Sequence, residues 1–305
     1  MLGVIRHLLL VSITLSVAIS AWAQVSKKND LEQATQDEFA GKLAGDAKEL
    51  APGMKCRWCP PGEFTMGTPE GKGYRSKDEE PVTVTLTSGF WLGEAEVTQD
   101  QWKSVMKTTP WKGKKNVKEG GDYPAVHISH GNAREEKLKR DSATEFCRRL
   151  TEQEHKAGRL PAGWMYVLPT EAQWEYGCRA ATATKFYFGD DKANLSDYGW
   201  WGGLIGDGNA KSEPYAHRVR LKKPNAWGLY DMHGNVNEWC ADSYREKLPG
   251  GRDPVVVTEG TSWTWRGGCW AGHASNCGSA IRTSAISDDG NDCLGFRVAI
   301  VRSSK

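Results

Sequence analysis

From Met54 onward, glycine and proline cut this chain into short segments, and that texture restricts its fold more than any other feature. The sequence carries 34 glycines and 13 prolines in 305 residues, and such punctuation favours turns and loops over long regular elements. Val82, Val84 and Leu86 alternate with threonines, the period of a half-buried strand. Three short helices are announced by their caps. Thr98 stands three residues before Gln101, with Trp102, Val105 and Met106 on one face. Ser142 stands in the same relation to Glu145, ahead of a stripe of Ala143, Phe146, Cys147 and Leu150, and Thr170 to Gln173, ahead of Trp174 and Cys178. In each, the hydroxyl can accept from an orphan amide while the Glu or Gln side chain reaches back. Helical signals stop after Tyr187. Short strands are expected around Trp263, Trp265, Phe296 and Val298. Few helices and much irregular chain predict a compact α+β domain whose long loops are held by function, metal ions or cross-links.

The N-terminus sets the expected compartment. Arg6 and His7 precede an apolar run, Leu8 to Ile19, and then Ala21-Trp22-Ala23. A positive start, a short apolar stretch and an Ala-x-Ala site predict a bacterial signal peptide over 1–23, with a mature chain beginning at Gln24. The apolar run is shorter than the ~20 residues a spanning helix needs. The mature chain is therefore expected to be secreted or periplasmic, with no membrane span after cleavage. Residues 24–53 are polar, rich in Lys, Asp, Glu, Gln and Ala, and predict a solvated helix or flexible lead-in. Residues 54–305 are read as one domain. The formal charge is +2, and no basic block stands out, which argues against nucleic acid as a partner. Fourteen tryptophans are many for this length, and they serve both cores and binding surfaces.

Eight cysteines follow the signal: Cys56, Cys59, Cys147, Cys178, Cys240, Cys269, Cys277 and Cys293. An even number in an exported chain allows disulfides without fixing their pairing. Cys56 and Cys59 have CxxC spacing, but Pro60-Pro61 follows at once, where a redox motif would open a helix. No second CxxC completes a four-thiolate zinc site. A structural role is expected for this pair.

A series of ordered strings carries a family resemblance over nearly all of residues 54–302. They are Pro61-Gly62-Glu63-Phe64-Thr65-Met66-Gly67, Glu96-Val97-Thr98 with Trp102, and Leu168-Pro169-Thr170-Glu171-Ala172-Gln173-Trp174-Glu175-Tyr176. Further on come Asn225-Ala226-Trp227-Gly228-Leu229-Tyr230-Asp231-Met232, Gly234-Asn235-Val236, Arg266-Gly267-Gly268 and Leu294-Gly295-Phe296-Arg297. Together they resemble the formylglycine-generating enzyme, or sulfatase-modifying factor, family. The resemblance implies one loop-rich α+β domain related to C-type-lectin-like folds.

Enzymes of that family oxidise a sulfatase cysteine to formylglycine with oxygen and a copper ion held by two cysteines, soft ligands suited to Cu(I). Those cysteines lie five apart, shortly after an Arg-Gly-Gly-Ser-Trp string, which here reads Arg266-Gly267-Gly268-Cys269-Trp270. Counting forward places the first on Gly272 and the second on Cys277. Counting back from Leu294-Gly295-Phe296-Arg297, Cys277 reaches neither position. Neither count restores two cysteines five apart. Cys269, standing for the family serine, could form a substitute thiolate pair with Cys277, whereas a disulfide or two inert thiols is the plainer expectation. His273 could join a metal site there, or be a surface residue.

The resemblance also implies calcium in the loop Asp231 to Glu238. Asp231 and Glu238 would give side-chain oxygens, and Gly234 and Val236 backbone carbonyls, the hard donors calcium takes. The alternative is a tight Gly-Asn turn with Glu238 paired to a buried arginine such as Arg282 or Arg297. Asn237 stands where the family usually has Trp. A second calcium site would use Asn194 and the carbonyl of Leu195, with Asp207 a guess for its acidic ligand. His127 and His130 are spaced for a metal but lack an evident third ligand. No phosphate loop, HExxH or GxSxG motif is present.

Three readings of function follow. The first is an exported family member diverged from sulfatase oxidation that binds a protein, peptide or glycan. The second is a copper-dependent oxidoreductase acting on a sulfatase client through Cys269 and Cys277. The third is a calcium-stabilised surface module.

Overall fold

A computed structural model describes residues 38–71, 76–131, 141–204, 213–258, 262–286 and 290–303. The expected signal peptide and Asp207 lie outside the described residues. Twelve strands are described: β1 (Ala47–Ala51), β2 (Met54–Cys59), β3 (Gly62–Met66), β4 (Val82–Leu86), β5 (Phe90–Gly93), β6 (Trp164–Val167), β7 (Asn237–Ser243), β8 (Gly251–Arg252), β9 (Ser262–Arg266), β10 (Thr283–Ile286), β11 (Leu294–Gly295) and β12 (Ala299–Arg302). Three α-helices accompany them: α1 (Gln99–Met106), α2 (Ala143–Lys156) and α3 (Glu171–Arg179).

The strands form three sheets. An antiparallel five-stranded sheet has the order β1-β2-β5-β12-β6, so the two ends of the domain meet on either side of β5. A four-stranded sheet runs β10-β9-β7-β11, and a small one runs β3-β4-β8. All four residues of β5 are buried, as befits a strand covered on both faces. Helix α3 lies against it. A Cβ on Gly177 would come within 2.5 Å of Leu92 Cδ2, so the absence of a side chain there permits the close helix–strand approach.

The caps act as the residues predict in two cases. Thr98 and Thr170 form complete capping boxes with Gln101 and Gln173. Ser142 accepts from the Glu145 amide at 3.2 Å, but Glu145 does not reach back, because Arg148 and Arg149 hold its carboxylate. Two sequence expectations are corrected. The described part of the polar lead-in is not a solvated segment: Glu38 and Phe39 are helical, β1 pairs with β2, and Phe39 is buried with its ring 4.9 Å from that of Trp164. The core contact outweighs the polar composition. Phe296 and Val298 lie between β11 and β12 rather than within strands, yet their carbonyls accept from Val97 and Gly93.

Cys56 and Cys59 fall on opposite faces of β2, in different core clusters. Burial pushes both thiols up. The CxxC spacing is a by-product of two cores meeting at one strand.

Helix α3 is buried along nearly its whole length, including Glu171, Glu175 and Arg179. These charges are matched. Glu175 is held by Arg179 at 2.8 Å, by Arg266 and by the Gly67 amide at 2.9 Å. Glu171 takes a two-point contact from Arg282 at 2.6 and 2.8 Å. Glu238 takes another from Arg297, both bonds at 2.6 Å. Removing one partner of such a pair strands a charge in the interior, a loss of ~3–5 kcal/mol. Glu175→Gln is therefore expected to lower stability by about that amount. Urea unfolding measures it, and a variant with an unchanged midpoint would show that Glu175 is not a keystone.

Candidate functional site

The segment that leaves β9 carries the residues singled out for chemistry. Gly267 and Gly268 follow Arg266 with φ of 98° and 73°. At Gly268 a Cβ would lie 2.8 Å from both Asn276 O and Cys277 Sγ, so glycine is required on conformation and on space. The chain then turns sharply, with Gly272 N donating to Cys269 O at 3.0 Å. A 3-10 turn, Ala274–Cys277, closes the segment.

Cys277 is fully buried beneath Gly268, in a small cluster with Phe186, Leu195 and Ala274. Its sulfur rests 3.8 Å from His273 O, and its carbonyl accepts from His233 Nδ1 at 2.7 Å. His233 Nε2 accepts from the Tyr187 amide at 3.1 Å, which fixes the neutral tautomer with its proton on Nδ1. Burial lowers that imidazole to about 3. His273 is exposed.

Cys269 faces elsewhere. The neighbouring Cys293 thiol lowers its pKa most, helped by the Ala271 and Gly272 amides, against burial and the Asp292 charge. The same contact raises Cys293. All eight cysteines are free thiols, and Cys293 is half-buried. Sequence reasoning missed Cys293 as a partner, since it sits beside Leu294-Gly295 in the chain and only the β11–β7 pairing carries it to the β9 turn. Cys269 and Gly272 line a cavity of about 120 Å³ with Asn237, Arg266, Gly268 and Asn276.

The expected calcium ligands separate into two groups. Glu238 is engaged on both oxygens: Arg297 takes it from two directions, and Trp174 Nε1 donates to Oε2 at 2.7 Å. This is the ion-paired alternative, with Arg297 as the arginine. Asp231, at φ 56°, accepts from the Arg220 amide through Oδ2 at 2.8 Å, while Oδ1 is buried without a hydrogen-bond partner. Glu96, absent from the expected set, lies close by with Oε2 in the same condition and Oε1 on Asn235 Nδ2 at 3.1 Å. Burial raises Asp231 to about 6, and burial with the Asp231 charge raises Glu96. Unpartnered buried carboxylate oxygens thus lie at Asp231 and Glu96, while both oxygens of Glu238 are engaged. No group of three or more carboxylate, imidazole or thiol side chains among the described residues is arranged for a metal. Leu195 O already accepts from Tyr198 and Gly199 at 2.9 Å each, and Asn194 is exposed.

His130 is a core residue. Its ring stacks on Trp263 at 4.1 Å, and Nε2 lies 2.9 Å from Cys240 O. His127, held at φ 60°, is only half-buried by comparison.

The architecture defines a class: a loop-rich α+β domain related to C-type-lectin-like folds, with its first and last strands in one sheet and a glycine-hinged turn following β9. The sulfatase-modifying factor enzyme 1-like domain matches residues 43–302, and the chain belongs to that family. It is 26% identical over 300 residues to formylglycine-generating enzyme of Streptomyces coelicolor, covering 79% of this chain and 87% of that protein. It is 28% identical over 232 residues to the chaperone protein LppX of Paenibacillus barcinonensis, covering 68% and 75%. The solved structure of PvdO from Pseudomonas aeruginosa superposes with a TM-score of 0.71 at 26% identity, over 85% of this chain and 99% of that one. No helix among the described residues is long and apolar enough to cross a membrane.

Burial lowers His130 from 6.5 to about 4. The unfolded chain then takes up its proton first, so stability falls between about pH 6.5 and pH 4 on acidification. His130→Trp keeps an N–H donor and removes the titration. It should flatten that part of the melting-temperature profile, and an unaltered slope would exclude His130 as its source.

Proposed function

We propose that this chain is an exported member of the family that has lost sulfatase-cysteine oxidation and acts by binding an apolar segment of a polypeptide. One observation carries the loss of chemistry. The position aligned with the first copper cysteine is Gly272, and Cys277 lies fully buried with its sulfur against a backbone carbonyl. A single soft donor holds Cu(I) poorly. Support for a polypeptide partner comes from a second cavity, of about 510 Å³, between α2 and β6. Met165, Val167, Leu168, Ala241 and Val257 line it, with Arg148 and Glu152 at its rim. Val257 is 73% exposed, and such apolar surface suits hydrocarbon side chains better than the hydroxyls of a glycan. Similarity to a protein named as a chaperone agrees with that choice.

With copper, oxygen, a reductant and a sulfatase-type cysteine peptide, the protein is expected to form no formylglycine. Gly272→Cys, which restores the five-residue spacing to Cys277, should recover copper binding. For the binding half, fluorescence anisotropy with a reduced, carboxymethylated polypeptide should detect a complex. A Met165→Asp, Val257→Asp variant with an unchanged melting temperature should weaken it roughly tenfold. Oxidation of the peptide by the unmodified protein, or no loss of binding in the double variant, would overturn the respective half.

We also propose calcium at Asp231 Oδ1 and Glu96 Oε2 with backbone carbonyls of Gly234 and Val236, while Glu238 stays with Arg297. The two unpartnered buried oxygens support this. Calcium should raise the melting temperature of the wild-type protein but not of Asp231→Asn. An equal response of both proteins would refute the site.

A further inference from the structure

A strand at the edge of a sheet shows a row of unpaired amides and carbonyls, and folded chains cover or disrupt such rows. Five of the six edges of the three described sheets are treated in that way. Strand β1 carries Lys48 and Glu49 and shifts register with β2 between Glu49 and Ala51. Strand β3 carries Glu63, and β8 and β11 have two residues each. On β6, helix α2 supplies the partners: Thr151 Oγ1 accepts from the Tyr166 amide at 2.9 Å, and His155 Nε2 lies 2.8 Å from Trp164 O. The remaining edge is β10. Its sequence, Thr283-Ser284-Ala285-Ile286, has no charge and no proline, and its register with β9 is unbroken. Beyond that ladder, none of the four makes a backbone–backbone hydrogen bond with another described residue.

Alternation along β9 fixes which groups of β10 face outward. Ser262 O accepts from the amide of Tyr244, the residue after β7, at 3.0 Å, so Ser262 points to the β7 side. Backbone groups of successive strand residues point to opposite sides, and Trp263 and Trp265 therefore turn toward β10. Their cross-strand partners are Ala285 and Thr283, which leaves the amides and carbonyls of Ser284 and Ile286 on the open side. Ile286 is 52% exposed. Ala285 lies opposite Trp263, which borders the cavity of about 510 Å³.

We propose that β10 takes an extended segment of the partner polypeptide as an added strand, bonded to the outward amides and carbonyls of Ser284 and Ile286. Donors and acceptors alternating at strand spacing fit another extended backbone, and neither a glycan nor a small molecule repeats them. Continuity with the cavity sets the side-chain preference. Directly opposed residues share a face of the sheet, so residues of the segment on the Ala285 face extend the surface that Trp263 begins at the cavity. Alternate residues of the segment are therefore apolar. This deepens the binding reading and rests on it: the cavity selects side chains, and β10 holds the main chain whatever its sequence.

Amide hydrogen exchange followed by NMR, with and without the reduced, carboxymethylated polypeptide, reads the added strand residue by residue. The amides of Ser284 and Ile286 should slow by about tenfold or more on binding, whereas Thr283 and Ala285, already in the β9 ladder, should change little. Ser284→Pro removes an outward amide and spares the ladder. It should weaken binding roughly tenfold with the melting temperature kept. Ser284→Ala, with the same backbone, should bind like the wild type. Ser284 and Ile286 amides that exchange equally fast in the complex overturn the proposal. So does their protection without polypeptide in a sample that sedimentation shows to be dimeric, since the edge would then belong to a second copy. Weak binding by Met165→Asp, Val257→Asp with Ser284→Pro unaffected keeps the cavity and removes β10, and the reverse keeps β10 and removes the cavity.

Discussion

The carboxylate of Glu175 organises this domain. It lies fully buried on α3, between Arg179 of its own helix and Arg266 at the end of β9, and it accepts the Gly67 amide after β3. A fold with so little regular structure has few backbone ladders to fix where its elements go. Charge-assisted bonds supply the missing direction, because a buried guanidinium and carboxylate satisfy each other only in a narrow geometry. The same device recurs at Glu171 with Arg282 and at Glu238 with Arg297, whose guanidinium also donates to Gly93 O on β5 and to Tyr230 O. Apolar replacements of such pairs can be equally stable, so their contribution here is register and position more than net free energy.

That positioning reaches the candidate site through Arg266. With its head anchored on Glu175, the chain must leave β9 at a fixed point, and Gly267 and Gly268 turn it there under positive φ. Cys269 is the first residue free to carry a reactive side chain. Gly272 and Cys277 come after the turn, and the burial of Cys277 under Gly268 follows from the same tight reversal.

Local features were legible in the sequence because their physics is local. Thr98 and Thr170 cap as their spacing to Gln101 and Gln173 dictates. Glu145 fails to complete its box since two arginines on the same helix compete for it, a contest spacing alone does not decide. The family strings carried the fold, and much of what they encode is the buried ion-pair set: Glu171, Glu175, Arg266 and Arg297 are all buried. Pairings across long sequence separations were not legible. Glu238 had two candidate arginines and a metal before the structure gave it Arg297, and β1 looked polar because only Leu50 and Ala51 of its five residues are buried.

Cys293 shows why the chemistry was harder to read than the scaffold. Nothing near Asp292-Cys293-Leu294 marks a site, and the β11 pairing that delivers it to Cys269 involves only two residues, Leu294 with Asn237 and Gly295 with Glu238. Thiol reactivity depends on a few oriented donors within hydrogen-bond reach. Substituting cysteine at one family position therefore creates an inert thiol or a nucleophile according to what faces it. Cys269 borders a cavity of about 120 Å³, while Cys277 is fully buried with its sulfur 3.8 Å from His273 O. Access along this turn is thus set by the backbone reversal at Gly267-Gly268, which leaves one sulfur beside a cavity and buries the other.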